Sequence, residues 1–171
     1  YDAYDRFLKE KGFDKAFPTV DDLTRSMGNV SFYYQGRIIE NIRISNTVDA
    51  YAVNGWESMK LENHSGIVDN YRFPKGDPEV MARYNAPLYL AVKMNRKVVS
   101  TGDTTLVDTY IVNEKNLKGS YILNLVAKDE SGNVVASHKE RVTVKGGNDY
   151  GQCLQSGWAF IPKSKGYTRI E

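Results

Sequence analysis

Cysteine is almost absent. Cys153 stands alone in 171 residues, so no disulfide can close within the chain and no cysteine-based zinc cage is available. The compartment stays open on that ground, because proteins of oxidising spaces need not contain disulfides. Histidine is scarce, with two residues. No run approaches the ~18 apolar residues of a membrane helix, and no membrane partner is expected. Charge of one sign is lacking too: 23 basic and 21 acidic residues leave a net charge of +2. A phosphate binder concentrates Lys and Arg on one face, so nucleic acid is not expected as the main partner. The densest basic spot, "KSK" at Lys163 to Lys165, reads as a solvated turn. No basic segment followed by an apolar one opens the chain, which starts at "YDAYDRF" without Met. That start is expected to be a cut inside a longer protein. Against these absences, 41% hydrophobic and 26% charged residues are enough to bury a core.

The first 46 residues favour helices. "YDAYDRFLKEKGF" suits a helix ending at Gly12. Pro18 then marks a boundary, and Thr19 with Asp22 forms a capping-box pattern. Leu23, Met27, Val30, Tyr34, Ile38 and Ile42 recur at steps of three and four, one face of a long helix. Gly28 and Gly36 lie inside it and weaken the case for its continuity. So long an apolar stripe needs a packing partner that the remaining residues hardly provide. "DAYAVNG" (residues 49–55) is a short apolar run between polar residues, expected as a buried strand.

From Pro87 the period changes to two. "LYLAVKM" puts Leu88, Leu90, Val92 and Met94 on one face. "TTLVDTYIVN", "GSYILNLVAKD" and, after the turn "ESGN", "VVASHKERVTV" follow as strands. "YGQCLQSGWAFIP" is less regular, and "GYTRIE" reads as a strand still in progress, which leaves a poorly covered edge. Strand-like segments at short spacing without intervening helices indicate an immunoglobulin-like antiparallel β-sandwich. Two prolines and a glycine in "FPKGDPE" mark the boundary near residue 80.

The order "HSGIVDNYRFPKGDPEVMARYNAPLYLAVK", preceded by "AYAVNGWES", resembles the C-terminal part of glycoside hydrolase family 2, closest to its β-galactosidase-like branch. Gly66, Ile67, Val68 and Asp69 match the family segment that follows the eighth barrel strand. Arg72, Pro74 and Lys75 match the stretch leading into a helix and the next sandwich. The resemblance covers nearly the whole chain. It implies an α+β fragment: residues 1–80 as the C-terminal part of a (β/α)₈ barrel, and residues 81–171 as an immunoglobulin-like sandwich lacking its last strand. It also implies a parent that hydrolyses terminal β-glycosides with retention, through two glutamates at ~5 Å separation. In the family both lie on earlier strands, so this chain is expected to contribute no catalytic residue and to be inactive alone. A carbohydrate substrate, no cofactor, and a periplasmic or secreted bacterial parent complete that expectation.

Trp56 would then fall at the C-terminal face of the barrel, where active sites of this fold lie. Its ring either stacks on the sugar or plugs the barrel mouth. Glu57 either accepts a hydrogen bond from a sugar hydroxyl or stays in solvent, and Asn54 has the same status. "ENHS" at Glu62 to Ser65 makes a poor metal motif, since a site needs three or four converging ligands; no metal is expected. Asn29 and Asn63 each begin an N-glycosylation pattern. Trp158, Phe160 and Tyr150 read as sandwich core before they read as a sugar platform. Tyr33 and Tyr34 read as helix packing against the rest of a barrel. Cys153 has no activating neighbour in the sequence and reads as an inert thiol.

The rival class is a non-catalytic carbohydrate-binding or adhesion module, and a third reading is a structural interdomain piece. Trp56 discriminates: a pocket wall, an exposed platform, or no arrangement for a sugar. The fragment reading further expects self-association through uncovered barrel faces.

Overall fold

A computed structural model describes residues 2–57, 66–69 and 71–171. It is a mixed α+β chain with antiparallel sheets. Helix α1 spans Asp2–Glu10, a 3₁₀ turn Phe13–Lys15, α2 Val20–Ser45 and α3 Pro78–Tyr84. Strands β1 (Leu88–Met94), β2 (Thr105–Asn113), β3 (Gly119–Lys128), β4 (Val134–Val144), β5 (Gly151–Phe160) and β6 (Arg169–Ile170) follow. Among the described residues, no helix is long and apolar enough to cross a membrane. The chain divides into two compact units, Tyr1–Ile42 with Val48–Ala86, and Arg43–Thr47 with Pro87–Glu171.

In the first unit, α2 begins as its sequence demands. The Thr19 amide donates to Asp22 Oδ2 at 3.1 Å, and the Asp22 amide donates to Thr19 Oγ1 at 3.1 Å. Two amide donors are thereby satisfied reciprocally at the helix entrance. The helix then runs through both glycines. They do not break it, because they are contact points. A Cβ on Gly28 would run into the Lys75 carbonyl, and one on Gly36 into the Tyr84 ring. Gly28, Phe32, Gly36, Ile39 and Glu40 form the buried face. Glu40 pairs with Arg37 at 2.7 Å.

The apolar stripe lies on another face of the same helix. Met27, Val30, Tyr34 and Ile38 are all more than half exposed, and they line an open groove of about 1020 Å³ with Phe73, Pro74 and Lys75. Residues 49–55, expected as a buried strand, belong to no strand and are exposed throughout. A short extended segment is stable only with a paired neighbour, and among the described residues it has none. Helix α3 is capped by Asp77, whose side chain accepts from the Glu79 amide at 3.0 Å, with Pro78 in the first turn.

The second unit contains two three-stranded antiparallel sheets, ordered β1-β2-β5 and β4-β3-β6. Val107 on β2, Ala127 on β3 and Phe160 on β5 share one buried cluster with Val92, Met94, Ala136 and Ile170. Leu123, Leu125 and Val142 form a second, and Trp158 packs against both. The expected inward face of β1 holds only in its second half. Val92 and Met94 join the core, whereas Leu88 and Leu90 are exposed and Ala91, on the opposite face, is fully buried.

The irregular stretch near residue 155 is a full strand, β5, with a slipped register against β2. The slips fall on either side of Thr109. Asp108 accepts from both the Ser156 hydroxyl and the Gly157 amide at 2.7 Å, and Gly157 sits at φ +72°. Such a bulge inserts backbone and breaks the two-residue alternation. Residues 43–47 close this unit. Asn46 accepts from the Gly151 amide at 2.7 Å and donates to the Gly151 carbonyl at 2.5 Å, and Arg43 pairs with Glu114 at 2.7 Å.

Candidate functional site

Trp56 and Glu57 are held by backbone, not by side-chain packing. The Trp56 carbonyl accepts from the amides of Ile67 at 3.0 Å and Val68 at 3.1 Å. Glu57 forms a parallel bridge with Val68, and Val68 an antiparallel one with Pro74. Val68 is buried, so it anchors this small backbone array from below. The array explains the physical use of the Gly-Ile-Val-Asp segment: Gly66 turns at φ +83°, a value open to glycine at no steric cost.

A tight loop follows. The Asp69 amide donates to the Phe73 carbonyl at 2.9 Å, and Asp69 Oδ1 accepts from the amides of Tyr71 and Phe73 at 2.8 and 2.9 Å. Between them Arg72 is forced to φ +69°, a conformation costly for a side chain of this size, by roughly 1–2 kcal/mol. The loop's grip on Asp69 sustains it. The strained backbone aims the guanidinium at Glu57, with Arg72 Nε 2.9 Å from Glu57 Oε1.

The structure therefore brings Glu57 and Arg72 together at an exposed position, with Trp56 preceding Glu57 and with Tyr71 and Phe73 on the loop of Arg72. Trp56 is 64% exposed. Asn54 is exposed as well. None of Asn54, Trp56 and Glu57 lines the groove along α2. In the sequence Arg72 is a motif position only; its place beside Glu57 comes from the Trp56–Val68 backbone link and the loop that Asp69 closes. Chemically, the Glu57–Arg72 pair offers an acceptor and donors, and the exposed Trp56 ring next to Glu57 in sequence offers a face for stacking. A single carboxylate engaged by arginine does not perform a double displacement, which needs two carboxylates.

The other candidates separate. Phe160 is buried and Trp158 packs on the core, with the His138 ring stacked on it at 5.7 Å, whereas Tyr150 is exposed. Tyr33 and Tyr34 meet edge to face at 5.4 Å and are exposed. Asn29 lies within α2, and its Oδ1 accepts from the Asp77 amide at 2.6 Å, an arrangement unsuited to carrying a glycan. Glu62, Asn63 and His64 lie outside the described residues. Among those described, no group of three or more His, Cys, Asp or Glu side chains converges as metal ligands.

Cys153 is exposed, yet partial desolvation of its thiol, with the Asp108 charge behind it, pushes it up and away from the reactive thiolate. Burial likewise raises the Tyr110 phenol. Compared with protein-family models, curated proteins and solved structures, the chain finds no match in any of the three.

Proposed function

We propose that this chain is the C-terminal portion of a retaining family 2 glycoside hydrolase of β-galactosidase-like type. In this reading residues 1–80 are the end of the (β/α)₈ barrel and residues 81–171 an immunoglobulin-like sandwich. The parent hydrolyses terminal β-linked sugars, galactose or glucuronic acid, and both catalytic glutamates lie outside this chain. The observation that carries the proposal is the outward apolar stripe of α2. A helix already packed by its glycine face has no use for a second apolar face of Met27, Val30, Tyr34 and Ile38 unless another layer covers it. Barrel strands supply such a layer. The exposure of residues 49–55 fits the same idea, as that of a barrel strand without its neighbours.

Within the parent, Trp56 would supply one wall of the sugar pocket, with Asn54 and Glu57 as polar contacts and Arg72 holding Glu57 in place. The test is hydrolysis of a panel of nitrophenyl β-glycosides by this chain and by the full-length polypeptide. Turnover confined to the longer protein is the expected result and names the sugar. Turnover by this chain alone, abolished by Glu57→Gln, would overturn the proposal.

A second reading, a non-catalytic carbohydrate-binding module, is favoured by one feature: Trp56 is exposed and stands outside the groove. It requires that this chain bind galactosides or glucuronides by itself and lose them on Trp56→Ala. Calorimetric titration of the two sugars separates the readings.

A further inference from the structure

Asn54 stands directly before Gly55, and no other asparagine in the sequence precedes a glycine. That order of residues has a chemistry of its own. The side-chain amide carbon of an asparagine lies within five-membered-ring reach of the next residue's backbone nitrogen. Once that nitrogen gives up its proton, it attacks the carbon and expels ammonia. A side chain on the second residue crowds the approach, and glycine has none. Asparagine is accordingly among the thermolabile residues that heat-adapted proteins use sparingly.

A fold slows the reaction by fixing the backbone and tying up the side-chain amide. Other asparagines of this chain are restrained in that way. Asn46 clasps both backbone groups of Gly151, and Asn113 bonds the amide and carbonyl of Leu117. Asn116 accepts from the Gly147 amide, and the Asn133 side chain donates to Asp129. Asn54 differs. It is exposed and lies outside every helix and strand. Among the described residues, neither its side chain nor the Gly55 amide makes a hydrogen bond.

Gly55 sits at φ +74°, a conformation that glycine adopts without steric cost. The turn ahead of Trp56 thus calls for the very residue that leaves Asn54 open to attack. Asn148 is the nearest competitor, exposed and outside any strand, but the residue after it is Asp149.

We propose that Asn54 is a site of spontaneous deamidation, converted by water to aspartyl and isoaspartyl residues. The Gly55 nitrogen bonds to Asn54 Cγ while the Cγ–Nδ2 bond breaks. Ammonia leaves with the proton that the Gly55 nitrogen gave up, and a succinimide ring remains. Water then opens the ring. Addition at Cγ breaks the new bond and gives aspartate in an ordinary chain. Addition at the main-chain carbonyl carbon breaks the original peptide bond and gives isoaspartate, whose backbone runs through Cγ. Both products carry a new negative charge three positions before Glu57, and the second lengthens the main chain just ahead of Trp56. The reaction uses atoms of two successive residues and water alone, and it does not rest on the carbohydrate reading.

Peptide mapping by mass spectrometry tests it on the intact chain, held at mildly alkaline pH over a time course, with a parallel sample in urea. An isoaspartyl methyltransferase and a labelled methyl donor count the isoaspartate. Asn54→Gln is the matched variant, because glutamine must close a larger ring and reacts far more slowly. The expected result is conversion at Asn54 about tenfold faster than at Asn148, with isoaspartate exceeding aspartate. The native chain should react within a few-fold of the urea sample, and the acidic forms seen on isoelectric focusing should be largely lost in Asn54→Gln. An Asn54 that converts in urea but stays intact in the native chain would overturn the proposal, since the fold would then be restraining it. So would acidic forms undiminished in Asn54→Gln.

Discussion

Gly36 and the ring of Tyr84 meet so closely that a single added methyl group has nowhere to go. The contact joins α2 to α3 in the first unit and is made possible by the absence of a side chain. Gly36→Ala removes a helix-weakening glycine, which alone would favour α2 by up to about 1 kcal/mol. The forced shift of Tyr84 costs about 1–3 kcal/mol and wins, because Tyr84 is itself buried. Urea denaturation should show net destabilisation of the first unit. A more stable variant would mean that the ring can move aside.

The entrance of α2 gives a second expectation. Asp22→Ala removes the acceptor for the Thr19 amide and hydroxyl, and Thr19→Ala removes the acceptor for the Asp22 amide. Each should cost about 1 kcal/mol. Because the two groups serve one another, the double variant should cost less than the sum. A double-mutant cycle read by helical ellipticity during denaturation checks this.

Asn46 supports a third. It clasps both backbone groups of Gly151 and sits at φ +55°. Asn46→Gly keeps that backbone and loses only the clasp, an expected cost of about 1–3 kcal/mol for two buried backbone groups left unpaired. Asn46→Ala adds backbone strain and should be worse. Amide exchange at Gly151 should accelerate in both, while exchange in the β3–β4 ladder stays unchanged.

The turn after β3 should respond to acid. The Asn133 side chain, then the Asn133 amide, donates to Asp129 and holds its carboxyl below the ordinary range. A lowered folded-state value means stability that is present above about pH 4, the unfolded value, and lost as pH falls through the folded one. Glu171 is lowered in the same direction, first by the Lys128 ammonium. Asp129→Ala should therefore be less stable than the parent near neutrality, with the gap closing in acid. An NMR titration placing Asp129 at or above the ordinary value would refute this.

Much of the strand layout was legible because β1 to β4 are long enough for alternation to register, and their turns carry Gly and Asn where positive φ is needed, as at Gly132. β5 resisted because the bulge at Ser156 and Gly157 shifts its inward positions. In α2 the hydrophobic period correctly marked a face, but the residues bury a different one. Glycines carry no hydropathy signal, so a face built from Gly28, Phe32, Gly36 and Ile39 is invisible to a search for apolar side chains. Around Trp56, residue types pointed to Trp56, Asn54 and Glu57. The backbone bonds of Trp56 to Ile67 and Val68, together with the loop that Asp69 closes, bring Arg72 to Glu57 across fifteen positions, and sequence spacing carries no trace of that.

Neither compact unit is a single stretch of polypeptide. Residues 43–47 lie forty positions ahead of Pro87, yet Asn46 and Arg43 fasten Gly151 and Glu114. The β-rich unit is therefore poorly portable. Excised at Pro87 and grafted elsewhere, it would leave both backbone groups of Gly151 bare. A transplantable version must carry the pentapeptide with it, by circular permutation or as an added strap.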